Sequence, residues 1–203
     1  MKMSALHPTK QALITTVMTL LDSKGPEGIN SDEVLEASGV SKGSLYHHFQ
    51  DFSELIEQAL IFRFASFVDS SVEMLKEVIT TAKSREELLV ALKHVTRVTQ
   101  SPEMKENRIE RISAISSAMR NERMADALGV EQDRLTQALA DLYRESQERG
   151  WGDPKIDPRV VAVMVQSYTL GKVVDDFTPE HMDGEKWSAV IDEVLEKVFF
   201  PRK

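Results

Sequence analysis

The chain has 203 residues with no cysteine, 25 Lys+Arg against 33 Asp+Glu, and 6% aromatic residues. At about 150 residues per domain this is one large domain or two small ones, and it is long enough to bury roughly 70% of its unfolded surface. Without cysteine there are no disulfides, iron–sulfur clusters or cysteine-ligated zinc, which fits a reducing compartment. The formal net charge of -8 argues against a protein that coats nucleic acid or anionic membrane.

The apolar run from Ala12 to Leu21, preceded by Lys2, is read as a core helix and not as a signal peptide. It contains Thr15, Thr16 and Thr19, ends at Asp22 and has no small-x-small cleavage site. Leu13, Val17, Leu20 and Leu21 recur with the spacing of one helix face. No stretch approaches ~18 uninterrupted apolar residues, so no transmembrane helix is expected and the cytoplasm is the expected address.

The apolar segments that follow have helical period, and about nine helices are predicted. The first spans residues 9–24 and stops at Gly25-Pro26. Asn30 is placed to cap a short helix ending at Ser38, with Glu33 as its capping-box partner, and Gly39 to take the left-handed conformation that closes it. Ser41 caps a second short helix to Phe49. One long helix then runs over residues 51–82, on the order of 45 Å. Further starts are predicted at Ser84 with Glu87, at Ser101-Pro102, at Asn121 and at Asp157-Pro158, and Gly129 is placed to break or kink its helix. Gly150-Trp151-Gly152-Asp153-Pro154 and residues 178–184 are loops before the last helix, residues 185–200.

The segment from Asn30 to Phe49 has the layout of a helix-turn-helix. Val34, Leu35, Val40, Leu45 and Phe49 stand where the motif needs packing. The second short helix leaves Lys42, Gly43, Ser44, Tyr46, His47 and His48 outward. Such a helix enters the major groove with its N-terminal residues on base edges. Lys42 can meet a phosphate or a guanine, the hydroxyls of Ser44 and Tyr46 can donate to phosphate oxygens, and Gly43 lets the backbone come close. The adjacent His47 and His48 point in different directions on a helix, so no metal site is expected.

The run Ser-Gly-Val-Ser-Lys-Gly-Ser-Leu-Tyr-His-His-Phe from Ser38 to Phe49, with Gly25 before it and the Asp51–Leu60 segment after it, resembles the TetR family of transcriptional regulators. The resemblance runs from Thr9 to about Leu60. It implies an all-α fold: a three-helix helix-turn-helix DNA-binding domain (residues 1–58), joined by the long helix to a helical ligand-binding and dimerisation domain (residues 59–203). It further implies a homodimer that binds double-stranded operator DNA and is released by a small-molecule effector, with Asn30 and Ser41 joining the outward residues of the second helix at the DNA. No cofactor is implied.

Two departures stand out. Family members often carry a phosphate-contacting lysine near the start of the long helix, where this chain has Phe52. Residues 1–60 also hold four lysines and no arginine against eight acids, whereas Ala37–Gln50 contains Lys42 and no acid. The acids are expected on faces turned from the DNA, and the salt dependence of binding is expected to be shallow.

In the C-terminal part, Phe64, Phe67, Ile112, Met119, Tyr143 and Tyr168 are candidates to line an adaptable apolar pocket. Arg108 and Arg111 are candidates to pair an anionic ligand. The resemblance suggests a dimer interface from the last two helices as a four-helix bundle, with Ser167 and Gly171 permitting close approach and Trp187, Ile191, Val194 and Val198 forming a stripe.

Enzyme signatures do not appear. There is no HExxH, Gly43 follows Lys42 instead of preceding it as a phosphate loop requires, and the one GxSxG match, Gly39 to Gly43, falls within the helix-turn-helix segment and does not follow a strand. Glu-x-x-His pairs fail too, since Ala91 precedes His94 and Thr178 precedes His181 by three. The alternative left open is a helical ligand- or partner-binding module without specific DNA binding.

Overall fold

The computed structural model describes residues 6–202, so Lys2 lies outside the described residues. These residues form α1 (Pro8–Leu21), α2 (Ser31–Ser38), α3 (Lys42–His48), α4 (Phe52–Thr81), α5 (Arg85–Gln100), α6 (Lys105–Ala118), α7 (Glu122–Glu148), α8 (Pro158–Gly171) and α9 (Gly184–Val194). Shorter turns lie at Pro26–Gly28, Pro102–Met104 and Val173–Asp176, and α9 continues into a π turn at Leu195–Phe199. No strand occurs among the described residues. Two compact units result, one reaching Phe67 and taking in Ser117–Leu128, the other holding Val68–Ser116 and the residues from Gly129 on.

The starts follow their caps. Asn30 accepts from the Glu33 N–H at 3.0 Å, Ser84 from the Glu87 N–H at 3.1 Å, and Asp157 from the N–H groups of Arg159 and Val160. These satisfy donors that a helix start leaves open. Gly39 closes α2 with φ of 66°, a conformation that disfavours a β-carbon. Some boundaries differ from the sequence reading. α1 ends at Leu21, and a 3₁₀ turn over Pro102–Met104 delays α6 to Lys105. α7 passes through Gly129 unbroken. Glu33 does not reach back to its cap; its carboxylate takes the Lys24 ammonium at 2.6 and 2.7 Å.

The first unit closes around Leu13, Ile14 and Val17 of α1, Val34 of α2, Leu45 of α3, Phe49, and Leu55, Ala59 and Phe62 of α4. Each large apolar side chain buried here contributes roughly 1.5–3 kcal/mol. Phe52 packs against this cluster. Asn121 Nδ2 and Arg123 Nη2 donate to Glu57 at 2.7 and 3.0 Å, and Arg123 Nη1 lies 3.4 Å from Asp51.

In the second unit α5 packs against α8 and α9. Arg108, 1% exposed, donates to both carboxylate oxygens of Asp176 at 2.7 and 2.9 Å and to the carbonyls of Thr99 and Ser101. The chain over Leu195–Phe200 is gripped from three places. Tyr143 donates its hydroxyl to the Phe199 carbonyl at 2.9 Å, the Asp153 N–H donates to the same oxygen, and Arg85 Nε donates to the Phe200 carbonyl at 2.8 Å.

Candidate nucleic-acid interface

α3 is a short helix anchored on one side. Leu45 is fully buried and Phe49, just past its end, is 2% exposed. At its start Ser41 accepts from the Ser44 N–H at 3.2 Å, and the two hydroxyls bond at 3.0 Å. The opposite side is free: Lys42, Gly43 and His47 are exposed, Tyr46 is 47% exposed, and Ser44 and His48 are half-buried. A β-carbon added at Gly43 would meet nothing within 4 Å. Within the protein, nothing about Gly43 requires glycine. Asn30 and Ser41, also exposed, spend their side chains as caps of α2 and α3.

The structure brings a second helix to this surface. The ring of His7, the residue that caps α1, stacks on that of His48 with centroids 4.7 Å apart, and His47 meets His48 edge-on at 5.1 Å. Lys10 of α1 sits over the Phe49 ring, 4.9 Å from its centroid. Desolvation, then the neighbouring His7, His47 and Lys10, lower the His48 pKa from its ordinary value. Sequence reasoning missed His7 and Lys10, because no local pattern links them to residues 38 or more positions away. Among the described residues no group of three or more histidines or acids is arranged to hold a metal.

The other candidates scatter. Phe64, Phe67 and Met119 belong to the first unit, and Ile112, Tyr143 and Tyr168 to the second. Phe64 is buried, whereas Met119 is 83% exposed. Burial is the main reason that Tyr143 is pushed up to about 12, and its hydroxyl is committed to backbone carbonyls. Tyr168 is also raised, by burial, against a hydrogen bond with Thr96. Arg108 is committed to Asp176, and burial pushes Arg111 down to about 10. Two clefts in the second unit involve other residues. One of about 640 Å³ lies among Gly171, Asp175, Met182 and Trp187, and one of about 560 Å³ among Val72, Ile79, Arg134 and Leu142.

On α8, Val160, Val163 and Met164 are 60%, 49% and 44% exposed, and the stripe continues through Ser167 and Gly171 to Val174. On α9, Val190 is exposed, as is Val198 in the π turn; Trp187 and Val194 are half-buried. Ile191 is only 5% exposed and packs inward.

Residues 13–59 match the family described as "Bacterial regulatory proteins, tetR family". The match covers the helix-turn-helix domain, which is thus similar to that of TetR-family regulators. TetR-family members are DNA-binding transcriptional regulators that read DNA with a helix-turn-helix. Solved structures share the fold. A transcriptional regulator of the TetR/AcrR family from Thermobifida fusca has a TM-score of 0.64 at 16% identity, with 93% of this chain and 97% of that one covered. A Saccharomonospora viridis protein in complex with choline gives 0.69 at 15%, covering 95% and 98%. Salmonella enterica GusR gives 0.64 at 21%, covering 93% and 95%. No curated protein matches the chain in sequence. Against the TetR-family pattern, the Phe52 side chain is explained by its packing on the first unit's core. Among the described residues no helix is long and apolar enough to cross a membrane.

Proposed function

We propose that the protein is a ligand-responsive repressor that works in the cytoplasm as a homodimer on a pseudo-palindromic operator. Lys42, Gly43, Ser44, Tyr46, His47 and His48 form the DNA surface, with Asn30 and Ser41 holding α2 and α3 in position. The observation that carries this reading is the outward side of α3. It exposes a cation, a phenol and an imidazole on a stretch, residues 37–50, that contains no acid. The exposed apolar stripe on α8 supports self-association, because contiguous exposed apolar patches mark interaction surfaces. A two-fold dimer would set its recognition helices one DNA turn apart, about 34–36 Å. The choline complex of a similarly folded protein supports a small-molecule effector. No catalytic role is proposed.

Selection of bound duplexes from genomic DNA, followed by gel shift with unlabelled competitor, tests the reading. A recovered inverted repeat bound in preference to competitor DNA is expected. Failure to select any sequence would favour a ligand- or partner-binding module, and addition of effector should release the duplex.

A further inference from the structure

The chain has five histidines. His7, His47 and His48 converge at the face of α3, through ring contacts of 4.7 and 5.1 Å. Cations are otherwise sparse there, since Lys42 is the only lysine or arginine in residues 37–50. We propose that this cluster is a proton-dependent contact to the DNA backbone, so that operator affinity rises as pH falls. The inference rests on the DNA-binding reading above.

The geometry supplies the coupling. Imidazoles in contact repel one another when charged, so in the free protein the charged form of His48 is disfavoured. The charges that act on His48 are His7 and Lys10 from α1 and His47 from its own helix, all of one sign. His7 has a further restraint: its Nδ1 accepts the Thr9 N–H at 3.3 Å, so protonating that nitrogen gives up the α1 cap. A phosphate placed against the rings reverses the balance, because it attracts the imidazolium form and offsets the repulsion. DNA binding then takes up protons, and by linkage protons tighten DNA binding. Each proton taken up raises affinity about tenfold per pH unit over the window between the free and bound pKa values.

The test is fluorescence anisotropy with a fluorescein-labelled copy of the selected duplex, from about pH 8 to about pH 6 at constant ionic strength. Affinity should rise about tenfold or more for two protons taken up per dimer, and the salt slope should steepen by about 1–2. His48→Gln combined with His7→Asn, which keeps a good capping oxygen, should flatten the pH response. His94→Gln with His181→Gln should leave the response unchanged. Imidazole proton shifts by NMR should report a higher His48 pKa in the complex than in the free protein. Flat wild-type affinity with binding intact, or a response that ignores His48 and His7, overturns the inference. Loss of binding at every pH defeats the DNA reading itself and takes this inference with it.

Discussion

Arg123 Nη2 donates to Glu57 Oε1 at 3.0 Å, and Glu57 is only 12% exposed at its side chain. The residues that open α7 thereby hold the second turn of α4, within the unit that carries the recognition helix. Glu57→Ala should remove both this bond and that of Asn121, lowering stability by about 1–2 kcal/mol. In a chain of this size that is a fall of roughly 2–8 °C in Tm by calorimetry. An unchanged Tm would mean that the clasp contributes nothing.

Asp176 ties the second unit to acid conditions. Burial alone would raise its pKa, but hydrogen bonds from Arg108 and Lys172 outweigh burial and hold it below the ordinary carboxylate value. A depressed carboxyl contributes stability that is present above its unfolded value and is lost as pH falls through the folded one. Denaturant midpoints should therefore drop below about pH 4. Asp176→Asn should remove this component and, at neutral pH, destabilise by about 3–5 kcal/mol, because it strands the buried Arg108 charge.

Two glycines in one motif should respond in opposite ways. Gly39 takes a positive φ, so Gly39→Ala should destabilise by about 1–2 kcal/mol. Gly43 lies inside α3 with open space where a β-carbon would go, so Gly43→Ala should be neutral or stabilising by up to about 1 kcal/mol. If the backbone there approaches DNA, the same substitution should still weaken operator binding. Melting curves and anisotropy on both variants separate the two effects.

Lys42→Ala should weaken binding to all duplexes if it meets phosphate, lowering the salt slope by about 2 per dimer. If it meets a guanine, discrimination at one base pair should relax instead. Affinity measured against salt and against single-base variants of the operator decides between these contacts.

Met164→Glu places a charge at the middle of the exposed α8 stripe. Sedimentation equilibrium should then show monomers where the wild type shows dimers, with the helical circular dichroism retained. Operator affinity should fall with dimerisation, since each half-site then binds alone.

The first unit was largely legible from sequence because its signals are local. Asn30, Gly39 and Ser41 declare three helix boundaries within a dozen residues, and Leu45 and Phe49 repeat at the spacing of one face. Contacts across the chain left no such trace. His7 meets His48 only because α1 and α3 share a core, and Glu33 turns to Lys24 because a cation nine residues away outcompetes a backbone N–H. The stripe on α9 shows a different limit. Periodicity marks Ile191 and Val198 alike as apolar, but it does not say which side of a helix meets its own core. Ile191 faces inward and Val198 outward.

The hydrogen bonds around Phe199 and Phe200 bear on the timing of folding during synthesis. Arg85, Tyr143 and Asp153 all wait for two carbonyls that are made after them. Translation adds about 5–20 residues per second, so Arg85 leaves the peptidyl-transferase centre on the order of ten seconds before its partner exists. Until then the buried Tyr143 hydroxyl lacks the shorter of its two carbonyl acceptors. The second unit is therefore expected to stay open to proteases and chaperones on the ribosome, and to close only once residues 195–200 have emerged.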